Sequence, residues 1–356
     1  MGLNSMSLLL LCSLLFLGSA IITGLFRGIA QRIQLIAIPV SRSAHSGLVP
    51  VGGGISIVAL ILLVVAYNYF TGRIPANEFA ALMAALVIAC IGIVDDIKQL
   101  GVRWRIPAQF LASTYVVYCL GDVPAIDFGF FSFPESILLN VLAVFALVWL
   151  LNLYNFMDGI DGIAATELIA VNVLSLLIVI NSDAVLTLLS ASFAAAAGGF
   201  LLWNWAPAKI FMGDVGSSFI GFTLGVMALL SLFHGSMTVW TWVLLLGVFI
   251  VDATLTLFVR VRRKKRWHEG HASHAYQNAA KRYKSHSKVT ITVVMINLFW
   301  LGPLAWLSMQ YPKMGLVITI VGLLPLLLLA KRFGAGQENF SIYPARNSLF
   351  TRQQIR

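Results

Sequence analysis

Two adjacent carboxylates, Asp95 and Asp96, close an apolar run in the segment G-I-V-D-D-I-K, from Gly92 to Lys98. Side by side at the edge of an apolar stretch they repel each other and are costly to desolvate, so a cation or a proton is expected with them. A plainly solvated helix end is the competing reading. A more specific pattern follows in N-L-Y-N-F-M-D-G-I-D-G, where Asn152, Asn155, Asp158 and Asp161 recur at steps of three. Such steps keep side chains on one side of a helix for about two turns. Gly159 and Gly162 then let the chain turn and let a ligand approach the backbone. A helix ending in turn glycines explains the Asp-Gly pairs but not two asparagines placed a turn earlier in an apolar run. In K-I-F-M-G-D-V-G-S-S, Lys209 to Ser218, Asp214 lies between two glycines at the start of another apolar run. Amides at a helix start suit an anion and the carboxylate suits a hard cation, whether or not Asp214 also caps the helix.

Basic and imidazole groups accompany these acids. His268, His271 and His274 again stand three apart in R-W-H-E-G-H-A-S-H-A-Y-Q, Arg266 to Gln277. Zinc is disfavoured, because the spacing is not H-E-x-x-H and ten Lys and Arg crowd residues 260–288. Contacts to phosphate and sugar through Arg266 and the histidines fit that charge better. Upstream, Arg42 and His45 precede the triple glycine Gly52 to Gly54, a composition that suits a phosphate or, equally, an ordinary turn. Asp252 is the one ionisable residue standing clearly inside an apolar run. It has either a function or a partner such as an Arg or Asn on a neighbouring helix.

The elements that must carry these residues are membrane helices. With 59% hydrophobic and 11% charged residues among 356, the chain has too little polar surface for a soluble domain of its size. The net charge of +10 is spread between apolar runs with no nucleic-acid-binding module, so nucleic acid is excluded as a partner and membrane lipids and phosphorylated substrates are favoured. Cys12, Cys90 and Cys119 lie in apolar stretches without paired spacing, which argues against disulfides and thiolate metal sites.

Apolar runs of roughly 17–22 residues predict about eleven transmembrane helices near 6–26, 52–70, 78–94, 105–120, 137–153, 163–180, 185–202, 215–233, 238–259, 289–309 and 313–330. The first is expected to be a retained helix rather than a signal peptide, since no Lys or Arg precedes it. An outside amino terminus and a cytoplasmic carboxy terminus put 22 of the 24 Lys and Arg on the inner face, leaving only Arg73 and Lys313 outside. Every motif acid then reaches the inner face. Glu78, Asp122, Asp127, Glu135 and Asp183 remain outside, scattered and without motif context. The expected architecture is all-α and polytopic. Residues 1–356 form one membrane-embedded domain, with a basic, histidine-bearing cytoplasmic loop at 260–288 and a cytoplasmic tail at 331–356.

Taken in this order, the D-D pair, the N-x-x-N-x-x-D-G-x-D-G run, the G-D-x-G-S segment and the H-x-G-H-x-x-H loop resemble the polyprenyl-phosphate N-acetylhexosamine-1-phosphate transferases. That superfamily includes the phospho-MurNAc-pentapeptide translocase and is known as glycosyltransferase family 4. The likeness runs from about Pro39 to Gln277, and its histidine loop is similar to the branch that starts bacterial O-antigen and related glycans. It implies transfer of a sugar phosphate from a UDP-N-acetylhexosamine to undecaprenyl phosphate on the cytoplasmic face of the bacterial inner membrane.

By resemblance, Asp214 matches the main Mg2+ ligand, with Asn155 near the same ion and Mn2+ as an alternative metal. Asp95 and Asp96 match the pair beside the lipid phosphate and Asp161 a uracil-contacting position, which with Asp158 makes four catalytic carboxylates. Arg103 or Arg105 takes a place where many relatives have Lys. The substrate-binding set is then Arg42, His45, Arg103, Arg105, Asn152, Asn155, Arg266, His268, His271 and His274, and a homodimer is admitted. Ala37 and Val51 depart from the Asp and Arg of many relatives, which reduces the first loop's expected share in catalysis. Two rivals fit less well. The D-G-x-x-A-R continuation of CDP-alcohol phosphatidyltransferases is missing after Asp158-Gly159 and after Asp161-Gly162, and a transporter predicts repeated halves and more mid-membrane charge.

Overall fold

The computed structural model describes residues 5–37, 48–265 and 272–338. Long apolar segments become helices because a chain in hydrocarbon must satisfy its backbone polar groups internally. In chain order these are α1 (Ser5–Arg32), α2 (Ile55–Phe70), α3 (Ala76–Met83), α4 (Ala85–Lys98), α5 (Val102–Leu120), α6 (Ile137–Met157), α7 (Ile163–Val179), α8 (Ala184–Asn204), α9 (Asp214–Phe233), α10 (Val239–Leu245), α11 (Gly247–Arg262), α12 (Ala275–Tyr283), α13 (His286–Ile296), α14 (Gly302–Gln310) and α15 (Gly315–Arg332). Two short antiparallel pairs, β1 (Ile36–Ala37) with β2 (Val49–Pro50) and β3 (Ile126–Asp127) with β4 (Ser132–Phe133), lie between helices.

Each of the eleven predicted segments falls on helix. By length and apolarity, seven described helical segments can cross a membrane, or eight if the 79° bent pair α10 and α11 is one span. The chain is therefore a polytopic membrane protein. The apolar helices α2 and α7 are shorter, at 16 and 17 residues. The interval 260–288 is not all loop, since it contains α12.

The helix α9 is the centre of the bundle, with 83% of its apolar window buried. Glycines let its neighbours approach. A Cβ on Gly92 of α4 would stand 2.6 Å from the Val215 Cα, and one on Gly54, before α2, 2.4 Å from the Gly216 Cα. Only Gly at these positions lets the end of α4 and the start of α2 lie against the start of α9.

Two expectations about charge are corrected at the opposite end of the helices. Glu78 and Asp183 are not scattered: His234, capping the carboxyl end of α9, places one ring nitrogen 2.8 Å from Glu78 and the other 2.7 Å from Asp183. Nor is Asp252 alone inside the apolar helices, because Glu167 on α7 is fully buried.

Candidate active site

The carboxyl end of α4, the start of α5, the carboxyl end of α6 and the amino end of α9 meet at one place. Asp96 accepts the Asp214 amide at 2.8 Å and the Val215 amide at 3.1 Å, so a carboxylate from α4 satisfies the free amides of α9. This leaves Asp95 directed to Arg105, with which it forms an ion pair. The same guanidinium nitrogen reaches Asp214 at 3.4 Å. From α6, Asn155 donates to Asp214 Oδ1 at 2.8 Å and to Ser217 Oγ at 2.9 Å. One turn earlier, Asn152 donates to Gln109 of α5 at 2.8 Å. The three-residue spacing on α6 thus puts both asparagines on the cluster.

Asp158 caps the carboxyl end of α6. Burial, followed by the charges of Asp214, Asp96 and Asp161, pushes its carboxyl well above the usual carboxylate range. Asp158 thus feels Asp96, Asp161 and Asp214, and Asp95 and Asp96 in turn act on Asp214, with Arg105 as the paired cation between Asp95 and Asp214. Among the described residues no three acids are grouped as a ready-made metal site, but Asp214 and Asn155 side by side offer hard oxygen donors of the kind a divalent cation takes.

Asp161 belongs to an adjoining region. Its carboxylate accepts the Ala208 amide at 3.1 Å and lies 3.3 Å from His286 Nδ1. A cavity of about 540 Å³ opens here, with Asp161, Lys281, Lys284 and His286 in its wall. Acid, imidazole and lysines together offer donors and acceptors to a polar, anionic ligand.

Of the other predicted residues, Arg105 rather than Arg103 joins the cluster, while Arg103 is exposed and lies over Trp104. His274 is 1% exposed at the start of α12, its Nδ1 3.3 Å from Asp252. Asp252 also accepts the Ala275 and Tyr276 amides at 2.9 and 2.8 Å. Thr256, one turn along α11, also donates to it at 3.1 Å, so its partners are a threonine, a histidine and a helix start rather than an Arg or Asn of a neighbouring helix. Tyr276 in turn donates to the Phe156 carbonyl at 3.0 Å, which sets α12 against the loop of Asp158 to Gly162. Arg42, His45, Arg266, His268 and His271 lie outside the described residues.

Residue patterns missed Gln109, Ser217 and His286. Ser217 stands inside the G-D-V-G-S-S segment, so proximity to Asp214 was a usable signal. Gln109 and His286 have no such neighbour in sequence, and only packing reveals them.

The model for glycosyl transferase family 4 matches residues 78–232, which hold Asp95, Asp96, Arg105, Asn155, Asp158, Asp161 and Asp214. A probable undecaprenyl-phosphate N-acetylglucosaminyl 1-phosphate transferase of Bacillus subtilis (strain 168) is 27% identical over 334 residues, covering 90% of each chain. A phospho-N-acetylmuramoyl-pentapeptide-transferase of Wolbachia pipientis wMel is 28% identical over 235 residues, 60% of this chain and 67% of the relative. A decaprenyl-phosphate N-acetylglucosaminephosphotransferase of Mycobacterium leprae (strain TN) is 30% identical over 227 residues, 57% of this chain and 56% of the relative.

Proposed function

We propose that the chain, whose residues 78–232 match glycosyl transferase family 4, acts as a member of that family and transfers an N-acetylhexosamine-1-phosphate from a UDP-sugar to undecaprenyl phosphate, releasing UMP. The observation that carries this reading is the meeting of Asp95, Arg105, Asn155 and Asp214 at the ends of four helices. The product is the lipid-linked sugar diphosphate on which O-antigen or a related cell-envelope glycan is begun. The cluster is proposed to face the cytoplasm at the bacterial inner membrane, the side on which a UDP-sugar is available. The amino terminus is then outside, and the two shorter apolar helices and α5 are further spans beside the seven or eight that length and apolarity support.

Two anionic substrates must meet, so charge is the first obstacle. Arg105, with Lys281 of α12 and Lys284 just after it, screens phosphate oxygens. A lipid phosphate oxygen attacks the sugar-bearing phosphorus, and the bond from that phosphorus to the UMP oxygen breaks, so one P–O bond forms as another is lost. Asp95, held by Arg105, orients the nucleophile or takes its proton. The single step is preferred to a covalent aspartyl-phosphate route, because two amide hydrogen bonds to Asp96 lower its nucleophilicity. Asp161 and the cavity beside His286 hold the uridine portion.

Asp214 and Asn155 fit Mg2+ or Mn2+, because both offer hard oxygen donors at one point and Asp95 and Asp96 add negative charge beside Asp214. When bound there, the ion supplies charge neutralisation to the diphosphate. The test is to incubate purified protein, Mg2+ and undecaprenyl phosphate with UDP-GlcNAc, UDP-GalNAc and UDP-MurNAc-pentapeptide. Equal amounts of UMP and lipid-linked N-acetylhexosamine diphosphate are expected with one of the first two. Turnover with the pentapeptide alone, or with no sugar, overturns the proposal.

A further inference from the structure

Glu167 and Asn297 meet in the interior, both 0% exposed. Glu167 lies early in α7, six residues beyond Asp161. Asn297 opens a single π-helical turn, Asn297–Leu301, between α13 and α14, and such turns often redirect one side chain for a purpose. The Asn297 amide nitrogen donates to Glu167 Oε2 at 2.5 Å. The remaining atoms of both groups, Glu167 Oε1 and Asn297 Oδ1, are buried acceptors with no hydrogen-bond partner among the described residues.

Donor counting narrows the chemistry. A carboxylate has only acceptors, and a primary amide has one acceptor and one doubly donating nitrogen. With Glu167 ionised, each group keeps an unsatisfied buried oxygen, a costly arrangement. One proton shared between Glu167 Oε1 and Asn297 Oδ1 would remove both defects, with the amide donating back to Oε2. Turning the amide over leaves the same requirement. No Lys, Arg or His is paired with Glu167 among the described residues. The elements packed on α7 offer Tyr154 from α6, Asp158 and Asp161 from the loop, and His286 and Lys288 from α13, while α8, α10 and α14 contribute no charged side chain within their helices.

We propose that Glu167 is held as a neutral carboxylic acid in a cyclic acid–amide pair with Asn297, and that this pair positions the Asp158 to Gly162 loop. Both helices it joins also meet at Asp161. His286, the first residue of α13, lies 3.3 Å from the Asp161 carboxylate, and Thr290 donates to the Asp161 carbonyl at 3.1 Å. The pair is thus a second tie between the same helices, deeper in the bundle, and Glu167 acts through Asp161 rather than on substrate.

Infrared difference spectroscopy of full-length protein carrying 13C-carboxyl-labelled glutamate tests the protonation state without reference to any reaction. A protonated-carboxyl C=O band is expected at neutral pH in the wild type and absent in Glu167→Gln. If labelled wild-type protein shows carboxylate bands alone, the proposal is overturned. The positioning role is read by UMP release, which rests on the proposed transferase activity. Glu167→Gln offers the same donor and acceptor as the acid and is expected to stay within about twofold of wild type. Glu167→Ala should lower the rate about tenfold or more, the equivalent of a lost buried pair. Equal rates for all three proteins would overturn the positioning role while leaving the spectroscopic result to stand by itself.

Discussion

Asp96 of α4 accepts the backbone amide of Asp214 at 2.8 Å, so two adjacent aspartates perform different tasks. Asp96 is committed to the start of α9, and Asp95 faces Arg105. Removing Asp96 should therefore cost stability as well as activity. Asp96→Ala leaves two α9 amides without their acceptor and is expected to cost about 1–2 kcal/mol in unfolding measurements and about 100-fold or more in UMP release. Asp95→Ala should lose activity to a similar extent with a much smaller fall in Tm. Equal Tm losses in the two variants would contradict this division.

Arg105 and Arg103 are two residues apart, and packing separates them. Arg105 touches Asp95 and Asp214, whereas Arg103 lies over Trp104. Arg105→Ala should lower kcat/KM by about 100- to 1,000-fold, as for loss of a group that stabilises charge at the reacting phosphate. Arg105→Lys keeps the charge but reaches both acids less well and should fall between. Arg103→Ala should remain close to wild type in the same assay.

Asn155 holds Asp214 Oδ1 from α6, and Ser217 holds Asn155 in turn. If Asp214 and Asn155 bind the divalent ion, Asn155→Ala should raise the Mg2+ concentration for half-maximal activity by about 10- to 100-fold, the usual range for groups that support a metal ligand. Asp214→Ala should show no saturable Mg2+ dependence. A Mg2+ titration that is unchanged in Asn155→Ala would remove Asn155 from the metal site.

Sequence legibility followed the distance over which each partner lies. The spacing of Asn152, Asn155, Asp158 and Asp161 was informative because a helix converts steps of three into one face. The D-D and G-D-x-G-S pieces were legible as sites but not as a joined site, since the contact of Asp96 with the Asp214 amide spans α4 to α9. Glu78, Asp183 and His234 carry no local pattern at all; three helix ends bring them together. Glu167 was hidden by its apolar surroundings, which made α7 read as an ordinary span. Asp252 was visible, but apart from Thr256 on its own helix its partners come from the start of α12, a short polar helix that hydropathy does not detect. Helix positions were clear from apolar length, whereas breaks such as the bend between α10 and α11 depend on neighbouring packing.

Asp158 gives a prediction about pH. Its carboxyl is raised by burial and then by Asp214, Asp96 and Asp161. An acid with a folded pKa above its unfolded value of about 3.9 lowers stability as pH rises through the interval between them, and the cost persists at neutral pH. Without divalent ions, Asp158→Asn should therefore have a higher Tm than wild type at neutral pH and no advantage below pH about 3.9. Mg2+ should narrow the gap by stabilising the wild type more than the variant. Activity is expected to fall in Asp158→Asn although stability rises. A lower Tm for the variant in chelator at neutral pH would contradict the carboxylate-crowding account.

At the far end of the bundle, His234 is bracketed by Glu78 and Asp183, and Ser236 donates to the same Asp183 oxygen at 2.7 Å. The two carboxylates, Asp183 first, hold the imidazole up to about 10. Asp183 is lowered despite its burial, chiefly by the bond from His234. The signs are opposite for the two groups. A histidine raised above its unfolded value of about 6.5 stabilises fully below that pH, less as pH rises, and no longer once pH passes through the folded value. An aspartate with a lowered pKa stabilises above about 3.9 and loses that contribution in acid. The clamp should thus be strongest in mildly acidic solution. His234→Gln breaks charge pairing among α3, α8 and α9 and should cost on the order of 2 kcal/mol near pH 6, with the wild-type advantage shrinking steadily above neutrality. Because the clamp lies opposite the aspartate cluster, kcat and KM of the folded variant should stay near wild type below its unfolding temperature. Thermal unfolding of both proteins in detergent across this pH range reads the effect directly, and a stability difference independent of pH would show that His234 contributes by packing rather than by charge.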